Sequence, residues 1–125
     1  MAKNAVMTYQ KKLGKIGETI AEKYLEGEGY HLLERNFNTR FGEIDLVMLD
    51  ENCVVFVEVK TRTTTGFGHP EDSITPLKLE KLENAALLWL EAHPVSPDDW
   101  RIDVIAILLD HQKGVKNLQH FINTS

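Results

Sequence analysis

Cysteine occurs once, as Cys53, so no internal disulfide can form and no thiolate zinc site can be assembled. No uninterrupted apolar stretch reaches the roughly 18 residues that a membrane-crossing helix needs. Met1 to Met7 also lack the apolar core of a signal peptide, so a cytoplasmic protein without membrane association is expected. The five histidines, His31, His69, His93, His111 and His120, show neither H-E-x-x-H nor H-x-H spacing, which argues for surface or structural roles over zinc ligation. There is no G-x-S-x-G elbow for a serine nucleophile. Gly66-Phe67-Gly68 lacks the third glycine and the lysine of a phosphate loop, and reads as a hinge.

Positive charge is also short. A net charge of −5 argues against a protein that coats nucleic acid without selectivity, because phosphate binding draws on Lys and Arg. The deficit is uneven, however. Residues 1–41 carry +2 and the remainder −7, a weakly basic lobe beside a carboxylate-rich one, although a solvated, mildly basic helix would give the same count.

What is present suits one globular domain over residues 1–125, with 42% hydrophobic content and no linker or composition shift. Leu13, Ile16, Ile20, Ala21, Tyr24 and Leu25 recur at helical spacing between about Thr8 and Glu28, and Gly27 and Gly29 end the pattern. Glu18 falls at the rim of that apolar stripe, on the side of the small residues Gly14 and Ala21, where it is either solvated or leans into a site. Tyr30 to Phe37 reads as a strand, and Asn38 to Gly42 as a turn. Thr61 to Asp72 reads as a polar, mobile loop. Thr75-Pro76 then caps a second helix with Leu79, Leu82, Ala85, Ala86, Trp89 and Leu90 on its buried stripe, ending before Pro94. Trp89 is expected in the core, not as a base-stacking platform. Arg101 to Leu109 and Val115 to Ile122 complete the chain as strands, the last at an edge, with Arg101 and Asp103 pairing with neighbours. The order is α-β-β-β-α-β-β, an α/β fold with a mixed central sheet flanked by helices on both faces.

Two runs carry the chemistry. Glu43-Ile44-Asp45-Leu46-Val47-Met48-Leu49 and Val54-Val55-Phe56-Val57-Glu58-Val59-Lys60 flank Asp50-Glu51-Asn52, and so predict a hairpin. With Glu51 and Asn52 as a two-residue loop, Asp45 opposes Glu58, Glu43 opposes Lys60, Val47 opposes Phe56 and Leu49 opposes Val54. The other face then holds Ile44, Leu46 and Met48 against Val59, Val57 and Val55. A three-residue loop would set Asp45 against Val57 and mix charge into the apolar face. Opposed carboxylates repel, so the even register calls for a cation between them. Lys60 is one candidate, but Glu43 competes for it, and a divalent metal is the more economical counter-ion. The plainer alternative is a solvated hairpin end with a Glu43–Lys60 salt bridge.

Asp45, Glu58 and Lys60 thus form a D-x12-E-x-K pattern on facing hairpin positions. Two hard carboxylate oxygens can hold Mg²⁺ or Mn²⁺ against a scissile phosphate. Lys60 can orient water and stabilise developing charge, and Glu18 can hold a metal's water or a second ion. Arg62 shares the face of Glu58 and Lys60, and Arg40 and Lys78 border it, so these three are candidate phosphate contacts.

Gly17-Glu18, Arg35-Asn36, Gly42-Glu43-Ile44-Asp45-Leu46-Val47, Val55-Phe56-Val57-Glu58-Val59-Lys60-Thr61-Arg62, Phe67-Gly68, Lys78 and Arg101-Ile102-Asp103-Val104 together resemble the YraN-like bacterial family, over about residues 13–122. That family in turn resembles the restriction-endonuclease-like PD-(D/E)xK nucleases, particularly archaeal Holliday-junction resolvases. The resemblance implies that Glu18, Asp45, Glu58 and Lys60 form a metal-dependent active site, with Glu18, Asp45 and Glu58 as metal ligands. Ile44 stands where the motif's proline would precede the aspartate. The implied activity is hydrolysis of DNA, at branched or otherwise distorted structures. Branched substrates are often read by two copies of a site, which leaves a homodimer open. The competing expectations are a nucleic-acid-binding or assembly module without turnover, and a purely structural protein partner.

Overall fold

The computed structural model describes residues 8–63 and 68–124. Helix α1 (Tyr9–Gly27) is followed by strands β1 (His31–Thr39), β2 (Gly42–Asp50) and β3 (Cys53–Arg62), helix α2 (Pro76–Ala92), and strands β4 (Asp99–Leu109) and β5 (Val115–Phe121). The expected α-β-β-β-α-β-β order holds. The five strands lie in the order β1-β2-β3-β4-β5. The β3–β4 pair, whose connection contains α2, is parallel, and the other neighbours are antiparallel.

Each helix begins and ends for local reasons. The Thr8 hydroxyl accepts the Lys11 amide at 3.2 Å, capping α1. At the other end Gly29 takes φ +94, and the Tyr30 amide reaches back to the Leu25 carbonyl at 3.0 Å. In α2 the Thr75 hydroxyl accepts the Lys78 amide and Pro76 occupies the first turn.

The sheet is covered on both faces. Leu13, Gly17, Ala21 and Leu25, at strict four-residue spacing, form the buried stripe of α1. It lies on Leu46, Met48, Val55, Val57, Ile105 and Ile107. Leu25 is fully buried, so Leu25→Ala would cost about 2–5 kcal/mol in lost transfer energy and cavity. On the opposite face, Leu82, Ala85, Ala86 and Trp89 of α2 pack on Val47, Val54, Phe56 and Ile102. Trp89 is core, as expected: its ring meets Phe56 edge-on at 5.6 Å and its indole N–H donates to Glu34 Oε1 at 2.9 Å.

The hairpin has the even register. Asp50 pairs with Cys53, Leu49 with Val54 and Val47 with Phe56, around a two-residue turn in which Glu51 takes the positive φ of a primed hairpin. Other boundaries moved. β1 runs on to Thr39, because the Thr39 hydroxyl bonds the Gly42 carbonyl and the Phe41 amide and tightens the turn. Its pairing with β2 slips between Leu32 and Glu34. The loop expected over Thr61–Asp72 is shorter, since β3 continues to Arg62 and Pro70–Ser73 form a 3-10 turn braced by Asp72 accepting the His69 amide. Residues 64–67, including Gly66 and Phe67 of the expected hinge, lie outside the described residues, as does the N-terminal stretch 1–7.

At the start of β4, Asp103 is fully buried and accepts from Arg101 Nε at 3.0 Å, His120 Nε2 at 2.8 Å and the Asn123 amide at 2.9 Å. Arg101 also reaches Asp50 and the Tyr30 hydroxyl. Arg101, Asp103 and His120 are therefore framework residues.

Candidate metal centre

The β2–β3 ladder stops at Leu46–Val57. One step further the expected Asp45–Glu58 and Glu43–Lys60 pairs do not form, and the strands fork. The Val59 amide instead donates to Asp45 Oδ2 at 2.8 Å, so a side chain takes the place of a ladder carbonyl. The other neighbour is irregular at the same level. β1 pairs Arg35 with Leu46 and Phe37 with Ile44, skipping Asn36, which has φ +53. The strand's parity changes across Asp45: Leu46 packs on the α1 side, whereas Ile44, expected on that same face, belongs to the α2-side core.

Helix α1 brings Glu18 to this fork. Gly17 lies so close to β3 that an added Cβ would overlap the Thr61 hydroxyl, so only glycine allows this approach. The half-buried Glu18 accepts from Asn36 Nδ2 at 3.0 Å, and Lys15 Nζ stands 3.8 Å away. Carboxylate oxygens of Glu18, Glu43 and Asp45 all lie within 4.8 Å of one another. Glu43 was expected to face Lys60; it faces Glu18 and Asp45 instead. Its place two residues before Asp45 on a strand, hence on the same face, is the sequence signal that joins it to the acidic cluster.

Glu58 sits beside this trio, not within it. It is 3% exposed; its Oε2 lies 3.3 Å from Lys60 Nζ and 3.4 Å from Lys78 Nζ, while Oε1 is buried without a partner among the described residues. Lys60 thus pairs with Glu58, not with Glu43. Lys78, expected as a phosphate contact, is a second counter-charge to Glu58. Arg40 lies over the Phe41 ring at 4.8 Å, in the β1–β2 turn. Arg62 stands with Lys60 on the wall of a neighbouring cavity.

The electrostatics follow from the crowding. Burial pushes the Asp45 carboxyl up and nearby Glu58 adds to it; the Val59 amide offsets this only in part, and Glu18 and Glu43 raise it further, to about 8. An aspartate that keeps its proton at neutral pH among three other carboxylates is a site short of positive charge. Among the described residues the donors here are all hard oxygens, with no thiolate or imidazole, and the buried Oε1 of Glu58 has capacity to spare. That set fits Mg²⁺ or Mn²⁺.

Residues 17–107 match Uncharacterised protein family UPF0102. The chain belongs to that family. A UPF0102 protein of Syntrophomonas wolfei is 45% identical over 113 residues, covering 90% of this chain and 96% of the relative. One from Clavibacter michiganensis is 48% identical over 102 residues, covering 82% and 86% respectively. One from a Nocardioides species is 37% identical over 123 residues, covering 92% and 99%. Glu18, Glu43, Asp45, Glu58 and Lys60 of this family member all fall inside the matched segment.

Proposed function

We propose that this UPF0102 protein is a divalent-metal-dependent phosphodiesterase that hydrolyses DNA, at branched or distorted structures, on a restriction-endonuclease-like scaffold. The observation that carries the reading is the fork in the sheet, where a buried, proton-retaining Asp45 meets Glu18, Glu43 and Glu58 with Lys60 alongside.

Glu18, Glu43 and Asp45 would hold the ion, with the spare oxygen of Glu58 beside them. When bound, Mg²⁺ or Mn²⁺ supplies Lewis acidity toward a phosphate oxygen and makes a water easier to deprotonate. The protein's own groups do the rest. The Val59 amide fixes Asp45, and Glu58 fixes the Lys60 ammonium, which is placed to steady the nucleophile and the charge that grows on the phosphate. Lys11 and Lys15 line the groove over Glu18 and Glu43 and counter the repulsion that a net charge of −5 would impose on a DNA strand.

Cleavage of linear, flapped and four-way DNA tests the reading. The wild type is expected to cut with Mn²⁺ and not with a chelator, Asp45→Asn to lose metal-dependent cutting, and Lys60→Ala to lose about 10²–10³ in rate. DNA binding without metal-dependent cutting would overturn the reading in favour of a non-catalytic module. No metal binding at millimolar Mg²⁺ or Mn²⁺ would remove the metal centre altogether.

A further inference from the structure

A cavity of about 510 Å³ opens next to the fork, between the first turns of α1 and the end of β3. The chain has 19 acidic residues, yet among the described residues no carboxylate lines this cavity, while Lys60 and Arg62 both do. An anion is the ligand such a wall favours. The rest of the lining is amphipathic. Leu13 and Val59 supply apolar surface, and Tyr9, an exposed residue, offers a ring. Lys113 Nζ lies 5.2 Å from the centre of that ring. Thr61, Thr63 and Ser73 also line the cavity. Flat apolar surface, hydroxyls and two cations in a space of this volume suit a nucleotide unit better than a bare phosphate.

The cavity is joined to the metal centre at two points. Lys60 lines it while its ammonium stands 3.3 Å from Glu58. Gly14 lines both this cavity and the groove of about 380 Å³ that contains Glu18 and Glu43. A Cβ at Gly14 would meet nothing within 4 Å, so bare backbone separates the two spaces.

We infer that this cavity is a nucleotide subsite: it seats the nucleotide next to the phosphate to be cut, the nucleotide's own phosphate between Lys60 and Arg62 and its base against Tyr9. The inference rests on the phosphodiesterase reading and deepens it by assigning Tyr9, Gly14 and Arg62 to strand placement. Gly14 acts by leaving the strand a passage between the subsite and the acidic trio.

The test uses the whole protein in chelator, so that binding is measured apart from cutting. Thymidine 5′-monophosphate, thymidine, inorganic phosphate and pentathymidylate are titrated by NMR or calorimetry. The monophosphate is expected to bind at least about tenfold more tightly than thymidine or phosphate alone, and the oligonucleotide at least as tightly as the monophosphate. Arg62→Gln should weaken the monophosphate by about tenfold to a hundredfold through the lost charge-assisted hydrogen bonds, and Tyr9→Ala should weaken it while leaving phosphate unaffected. Gly14→Leu should fold normally, as a melting curve will show, and weaken the oligonucleotide. Monophosphate binding that ignores both Arg62→Gln and Tyr9→Ala overturns the subsite. So does monophosphate binding without oligonucleotide binding, which would make the ligand a free nucleotide. Metal-dependent cutting with no monophosphate binding removes the subsite and spares the enzyme; monophosphate binding that follows the expected pattern in a protein that never cuts removes the enzyme and spares the subsite.

Discussion

Asp45→Asn should make the metal-free protein more stable, by an amount that grows with pH. The unfolded aspartate ionises near 3.8 and the folded one near 8, so between those values the folded chain keeps a proton that the unfolded chain has released. Stability from this group is complete below pH 3.8 and is lost as pH rises toward 8, at no more than about 1.4 kcal/mol per unit. Traversing the whole window would cost about 6 kcal/mol at that ceiling, and side-chain relaxation with water entry leaves about 1–3 kcal/mol. Asparagine keeps an oxygen for the Val59 amide but carries no charge, so the difference between variant and wild type should widen by that amount from pH 4.5 to pH 8. In a melting experiment this is a gap of about 4–12 °C opening across the series. Millimolar Mn²⁺ should close most of the gap by stabilising the wild type and should do little for the variant. A gap that stays constant with pH, or a variant stabilised by Mn²⁺ as much as the wild type, would refute the reasoning, because Asp45 would then be neither strained by its neighbours nor a ligand.

Three further outcomes follow from the packing and the charges. Gly17→Ala, which would gain about 0.5–1 kcal/mol in an open helix, should instead lose about 1–3 kcal/mol in urea unfolding and weaken Mn²⁺ binding, since the added methyl levers α1 and Glu18 off β3. Lys60→Met should leave Mn²⁺ titrations close to wild type while DNA cleavage falls, separating ion binding from chemistry. Asp103→Asn should cost about 3 kcal/mol at neutral pH, because it leaves Arg101 without its buried counter-charge. Burial alone would raise the Asp103 carboxyl, but His120, Arg101 and the Asn123 amide together hold it below 3.8, so the stability it adds is present above that pH and is lost on further acidification. Acid unfolding should therefore be shallower in the variant than in the wild type.

The hairpin register is readable because two alternations agree: apolar residues at Leu46, Met48, Val55 and Val57 on one face, and Val47, Val54 and Phe56 on the other. The helices were readable from Thr8, Thr75, Pro76 and Gly29, which each act within a turn of themselves. The fork was not. It depends on a left-handed Asn36 in a neighbouring strand, on a side chain substituting for a backbone acceptor, and on a helix glycine that fits only against Thr61. These relations span distant stretches of sequence, and alternation along one strand carries no trace of them. Alternation alone therefore sets Glu43 across from Lys60 and Ile44 beside Leu46, and the fork separates both pairs. The pairing of Lys78 with Glu58, a strand residue twenty positions earlier, is illegible in the sequence for a related reason.

The slip at Leu32–Glu34 and the inverted backbone of Asn36 have a consequence for assembly. A strand added alongside β1 from another molecule would require an unbroken row of outward amides and carbonyls, and β1 interrupts that row twice. Two copies gathered on one substrate would therefore not join through β1, and this margin would not seed fibrous stacking.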